Sequence, residues 1–199
     1  SFEDDCINQQ LSVLKGLDEW ATEKPIEQTL SNTGSQTILE RATSLTEFDE
    51  KIFALTPHKL SRPSRHYPLI DVIVPVYNAC DDVLLCLSSL IEKTDLLHRV
   101  IVVNDGEDER TATMLAAFDR AFNHLEVITN PINKGYTKSV NIGVKHSNAD
   151  WIVVLNSDTI VSEGWLGNLM NCALSEENVG MVGALSNAAS WQSVPLIHD

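Results

Sequence analysis

From Asp71 onward the chain alternates short β-branched runs with stretches of helical periodicity, and this alternation restricts its fold more than any other feature. Strands are expected at Asp71 to Tyr77, Val100 to Val103, Leu125 to Thr129 and Trp151 to Leu155, with a fifth beginning at Val179. Helices are expected at Asp81 to Glu92, Glu109 to Phe122, Thr137 to His146 and Glu163 to Ser175, with Asp81, Asp82 and Glu163 where carboxylates favour a helix start. Strands regularly separated by helices build βαβ units, so the fold class is α/β with a mostly parallel sheet flanked by helices. In such sheets ligands bind beyond the carboxyl ends of the strands, and the residues just after each strand are where function is sought.

The part before Pro68 reads differently. Amphipathic helices are expected over Ile7 to Trp20 and Ile38 to Leu55, with the turn-rich SNTGSQ between them and Ser61 to Arg65 as a linker. The expected organisation is a helical extension over residues 1–66 and an α/β domain over residues 67–199.

A formal net charge of −14 argues against a sequence-independent grip on nucleic acid or anionic lipid, both of which need a basic face. No apolar run approaches the roughly 20 residues that cross a bilayer, and the opening SFEDDCINQQ lacks a basic-then-apolar signal, so a cytoplasmic location is expected. The first residue is Ser, which suggests a piece of something longer. Cys6, Cys80, Cys86 and Cys172 are scattered without metal-ligand spacing and read as reduced packing residues.

The first strand ends in Tyr77-Asn78 and runs into a helix with neither G-x-G-x-x-G nor G-x-x-x-x-G-K-[ST], which excludes the dinucleotide-binding and P-loop signatures. Pro75 removes a ladder donor and points to a bulge or an edge strand, and Tyr77 offers an aromatic face to a flat base or else packs as an ordinary strand aromatic. The second strand ends in Asp105-Gly106. Its carboxylate can accept from a base N–H or a ribose hydroxyl, or simply shape a turn. After the third strand, NPINKGYTKSVNIGV carries Asn133, Gly135, Asn141 and Gly143, with Asn133 and Asn141 able to face the strand ends, and with Lys134 and Lys138 as a small basic spot. The fourth strand runs into Asn156-Ser157-Asp158. A carboxylate there can seat a hard divalent cation that also takes phosphate oxygens, or it can cap the following helix.

In this order the segments VPVYN, VVNDGEDERT, NKGYTKSVNIG and LNSDT resemble the family two glycosyltransferases of the GT-A fold, a Rossmann-like architecture. The resemblance covers Leu69 to Pro195, and WIVVLNSDTIV with ALSNAASWQSVP is most similar to the rhamnosyltransferase-like branch. It implies a nucleotide-sugar site formed by Pro75, Val76, Tyr77, Asn78, Asp105, Asn133, Lys134, Gly135, Lys138, Asn156, Ser157 and Asp158. Asp158 would hold Mg²⁺ or Mn²⁺. Two departures stand out: Asn156 replaces the first Asp of D-x-D, and Val140 stands where many relatives carry Arg.

The implied reaction transfers sugar from a UDP-, dTDP- or GDP-linked donor to a glycan or lipid-linked acceptor hydroxyl, inverting the anomeric centre. The family's base usually follows a further strand and helix, which places it beyond Asp199. His198 and Asp199 are the last titratable groups, but an unanchored terminus makes a poor base, and the catalytic residue is left unassigned. The expectation is therefore a chain cut off before its catalytic site is complete, weakly active at most and prone to self-association. Two rivals remain: a non-catalytic nucleotide- or partner-binding module, and a nucleotidyltransferase, which NACDDV does not suit because it lacks a glycine-rich loop.

Overall fold

The computed structural model describes residues 45–60 and 67–184. Four strands, β1 (Ile70–Val76), β2 (Arg99–Asn104), β3 (Leu125–Thr129) and β4 (Trp151–Val154), pair in parallel in the order β3-β2-β1-β4. The helices are α1 (Leu45–Phe53), α2 (Cys80–Lys93), α3 (Glu109–Ala121), α4 (Tyr136–His146) and α5 (Trp165–Ala173). The expected helix over Ile7 to Trp20, the start of the one over Ile38 to Leu55, and the linker at Ser61 lie outside the described residues. Among the described residues no helix is long and apolar enough to cross a membrane.

Every residue of β1 is buried, as a central strand covered on both faces requires, and its apolar run of Val72, Ile73 and Val74 is fully enclosed. Each such side chain contributes about 1.5–3 kcal/mol relative to exposure. Right-handed crossovers explain the layering: β1-α2-β2 and β2-α3-β3 step one way across the sheet, whereas β3-α4-β4 steps back past β1. Helices α2 and α3 therefore cover one face and α4 the other, and the crevice between oppositely directed connections opens at the carboxyl end of β1. Helix α4 lies close against β1 because Gly143 has no side chain. A Cβ there would stand 2.5 Å from Ile73 Cγ2. Helix α1 packs on α3, with Asp49 accepting from Arg120 at 2.6 Å and the Arg110 guanidinium 5.9 Å from the Phe48 ring centroid.

The structure departs from the sequence expectations at three places. Pro75 marks neither a bulge nor an edge. It pairs in register with Val103 in an interior strand, and because Ile73 O accepts from Leu155 N while Val76 O accepts from Asp105 N, the amide position of Pro75 faces the β4 side. Pairing on that side ends at Ile73 and Val154, so no ladder donor is missed. The last expected helix begins at Trp165 rather than Glu163. Gly164 takes a left-handed φ of 74° in a turn that Trp165 N closes on Ser162 O, and Glu163 instead meets Lys93 at 3.5 Å. No strand starts at Val179 within residues 179–184. Gly180 and Gly183 interrupt the apolar run there, and Met181 is 89% exposed while Val179 and Val182 are only half-buried.

At the opposite end of the sheet from the strand carboxyl termini, His98 is buried just before β2. Its Nδ1 lies 2.8 Å from Leu96 O, its ring meets His124 edge-on at 5.5 Å, and its Nε2 has no hydrogen-bond partner among the described residues. Burial pulls this imidazole down to about 4, and burial lowers His124 as well. Cys80 and Cys86 are free thiols that burial pushes up to about 11 and about 12, which suits packing rather than reactivity; Cys6 lies outside the described residues.

Candidate functional site

At the carboxyl end of β1 and β2, a cleft of about 260 Å³ is lined by Pro75, Val76, Tyr77, Asp105, Asn133, Gly135, Tyr136 and Ser139. Six of these were expected from the sequence, and they come from three separate segments. Tyr77 is 61% exposed, so its ring is available to a ligand rather than spent in the core.

The turn that presents Tyr77 is strained. Asn78 and Ala79 both have φ of 56°, and Ala79 precedes α2 without a side-chain cap. A β-carbon in the left-handed region costs about 1–2 kcal/mol, so something must hold it there. The neighbouring loop does so: Asn78 Oδ1 accepts from Asp108 N at 3.2 Å, and Gly106 lets the two loops close to a distance at which a Cβ would stand 2.3 Å from that same Oδ1. Gly106 is thus required for close approach. Asp108 also caps α3, accepting from Thr111 N at 2.8 Å.

Asp105 organises the opposite wall. Its Oδ1 accepts from Asn130 Nδ2 (2.7 Å) and Lys134 N (2.8 Å), and its Oδ2 from Gly135 N (2.7 Å) and Lys134 N (3.1 Å). Burial alone would push this carboxyl up, but the Lys134, Asn130 and Gly135 donors, with Ser139, outweigh it and hold the group below the usual carboxylate range. Asn130 also donates to Ser139 Oγ at 3.2 Å, so a buried chain of polar groups runs beneath the cleft. Within the loop, Asn133 Oδ1 accepts from Gly135 N at 2.9 Å, and Gly135 adopts a φ of 82° that favours glycine.

Sequence reasoning singled out Asp105, Asn133 and Gly135 but passed over Tyr136, Asn130 and Ser139. Asn130 directly follows β3 and stood where strand-end residues were sought; Tyr136 is the aromatic set between the glycine and lysine already noted. Lys134 and Lys138 are exposed on the same loop and helix without lining the cleft, and Asn141 is exposed on α4 and also lies outside it. Asn78 borders a second hollow with Ala79, Cys80, Asp81, Asp82, Asp108 and Arg110, in which Arg110 pairs with Asp81 at 2.6 Å.

Beyond β4, Asn156, Ser157 and Asp158 form a turn in which Thr159 N donates to Asn156 O at 3.2 Å. Asn156 Oδ1 accepts from the Tyr136 hydroxyl at 3.0 Å, which ties this turn to the cleft wall. Asp158 is exposed and makes no hydrogen bond or ion pair with another described residue, and α5 starts too late for it to act as that helix's cap. No group of three or more His, Cys, Asp or Glu residues that could cage a metal occurs among the described residues. A lone exposed carboxylate still fits Mg²⁺ or Mn²⁺, which keep waters and share coordination with substrate phosphates.

His198 and Asp199 lie outside the described residues.

Residues 71–191 match the family described as Glycosyl transferase family 2. An uncharacterized glycosyltransferase of Haemophilus influenzae is 26% identical over 117 residues, covering 59% of this chain and 36% of that protein. YibD of Escherichia coli, named an uncharacterized glycosyltransferase, is 26% identical over 131 residues, covering 63% of this chain and 38% of that protein. The glycosyltransferase AglE of Haloferax volcanii is 26% identical over 118 residues, covering 58% and 38%. The chain thus spans less than two-fifths of the length of these relatives. Among solved structures, the mannosyltransferase PcManGT from Pyrobaculum calidifontis in complex with GDP-Man and Mn²⁺ aligns with a TM-score of 0.49 at 17% identity, covering 67% of this chain and 43% of that one. With the family match running through more than half of its length, the chain belongs to glycosyl transferase family 2.

Proposed function

We propose that this chain holds the nucleotide of a nucleotide diphosphate sugar and serves transfer of the sugar to an acceptor hydroxyl with inversion. The observation that carries the reading is the cleft at the β1 and β2 carboxyl ends, with the exposed Tyr77 ring on one side and the Asn133–Gly135 loop on the other. Tyr77 offers the stacking face for the base, and the backbone of Pro75 and Val76 flanks it. Asp105 acts in this reading chiefly by folding the loop around the ligand, since its oxygens already accept four hydrogen bonds.

The diphosphate extends toward Asn156, Ser157 and Asp158. Asp158 would hold Mg²⁺ or Mn²⁺, which offsets the charge growing on the leaving phosphate. Lys134 and Lys138 add positive charge to an otherwise acidic protein. In the transfer, the acceptor oxygen bonds to the anomeric carbon as the bond to the diphosphate oxygen breaks on the opposite face, and the hydroxyl proton passes to a base on the acceptor side. UDP-, dTDP- and GDP-linked donors and glycan or lipid-linked acceptors belong to this reading, as does the rhamnosyltransferase-like branch. A binding-only module is the second reading, favoured by an amide at position 156 where a carboxylate would supply a further metal ligand.

Titration calorimetry with UDP, dTDP and GDP, each with and without Mn²⁺, tests it. The expected result is binding of one nucleotide, tightened by Mn²⁺, with the tightening lost in Asp158→Ala. Absence of binding to folded protein would sink the donor-site reading.

A further inference from the structure

The cleft and the turn after β4 are joined by one side chain. Tyr136 opens α4, and its ring lines the cleft while its hydroxyl donates to Asn156 Oδ1 at 3.0 Å. We propose that Tyr136 is a positioning residue that couples nucleotide binding in the cleft to cation binding at Asp158; the proposal rests on the donor-site reading above.

The hydroxyl is delivered from a fixed base. Asp105 clamps the amides of Lys134 and Gly135 directly before α4, and Gly143 seats the helix against Ile73. At the other end, the main chain of Asn156 is held as well, its carbonyl accepting from Thr159 N at 3.2 Å and lying 3.6 Å from Cys86 Sγ. With the side chain tied to Tyr136 and the carbonyl closing the turn, Asn156 sets where Asp158, two residues on, stands relative to the cleft.

The pairing also decides which polar group position 156 offers a ligand. With Oδ1 committed to the tyrosine, the amide retains its Nδ2 donors, and a donor meets a diphosphate oxygen where a carboxylate would repel it. The Tyr136–Asn156 pair puts a neutral, hydrogen-bonded amide where a carboxylate would add a second negative charge. It leaves Asp158 as the single carboxylate and makes its placement depend on the tyrosine hydroxyl.

Both partners are solvent-exposed, so the hydrogen bond adds little to folding, and its removal separates positioning from structure. The test is calorimetry of the whole chain with UDP, dTDP and GDP, with and without Mn²⁺, on wild type, Tyr136→Phe, Asn156→Ala and the double variant, beside a melting curve of each. Tyr136→Phe is expected to melt as wild type and to lose more of its nucleotide affinity in the presence of Mn²⁺ than in its absence. Its Mn²⁺-dependent gain should fall by about fivefold, the equivalent of one net hydrogen bond. Asn156→Ala should lose the same gain, and the double variant should be no worse than Asn156→Ala alone.

A Tyr136→Phe protein with the full Mn²⁺ gain overturns the coupling and leaves the donor site standing. So does a wild type that binds nucleotide with no Mn²⁺ gain. A lowered melting temperature with both affinities reduced assigns the hydroxyl a structural role and overturns it too. Wild-type protein that binds no nucleotide under either condition overturns the donor-site reading and the coupling together.

Discussion

Acidification between pH 7 and 5 should destabilise this domain through His98. In the folded protein burial holds the imidazole at about 4, against 6.5 for an unperturbed histidine, so across that interval the unfolded chain takes up a proton that the native state refuses. The sign follows directly: the contribution is complete above pH 6.5, shrinks as pH falls, and is gone below about pH 4. At about 1.4 kcal/mol for each pH unit between the two values, the full effect is about 3 kcal/mol. Integrating the two titrations from pH 7 to pH 5 leaves about 2 kcal/mol in that interval. His124, lowered by its own burial, acts in the same direction. Asp71, Asp105 and Asp108 are all lowered from 3.8, so their contributions are lost mainly below the interval. The assay is urea unfolding of wild type and His98→Asn at pH 7 and pH 5. Asparagine can still donate to Leu96 O but does not titrate, and losing the ring lowers stability at both pH values alike. Wild type should lose about 2 kcal/mol more than the variant on acidification; parallel losses would refute a buried neutral His98.

Two further outcomes test the strained turn beneath Tyr77. Gly106→Ala forces a Cβ to within 2.3 Å of Asn78 Oδ1 and 2.7 Å of Asn78 N, and should cost about 1–3 kcal/mol in urea unfolding and weaken nucleotide binding in calorimetry; unchanged values for both would mean the loops are not in contact. Ala79→Gly removes a left-handed alanine at φ 56° and should raise stability by up to about 1 kcal/mol, the relieved strain exceeding the added chain entropy; a lower urea midpoint would show that the turn is not strained there.

The strands were legible because a buried parallel strand writes a continuous β-branched run, as Val72 to Val74 and Val100 to Val103 do; the edge strand Leu125–Thr129 also falls on the expected residues, and β1 is displaced by one at each end. The cleft was legible for a related reason, since Tyr77 and Asp105 each stand directly past a strand and Asn133 lies in the loop after the third. What failed depended on three-dimensional neighbours. Pro75 reads as an edge signal until the length of β4 is known, because whether a missing donor matters is decided by the partner strand. Glu163 fits a helix start, but the positive φ of Gly164 delays the helix to Trp165. Met181 and Val182 look like a strand by residue type, yet type alone supplies no apolar surface to pack against. Tyr136 was missed because its role is a contact across to Asn156 with no periodicity to announce it, whereas Asn130 had a positional signal directly after β3 but acts beneath Asp105 rather than in the open cleft.

The four hydrogen bonds on Asp105 bear on how fast and how cheaply a ligand is taken up. A loop that freezes only on contact forfeits about 1–2 kcal/mol of backbone entropy for each residue it orders, and it must reach the right shape before an encounter succeeds. Here the Lys134 and Gly135 amides are anchored to a buried carboxylate by the protein's own fold. Under the donor-site proposal, recognition on this side of the cleft is docking against a preformed wall, with the ordering cost met during folding.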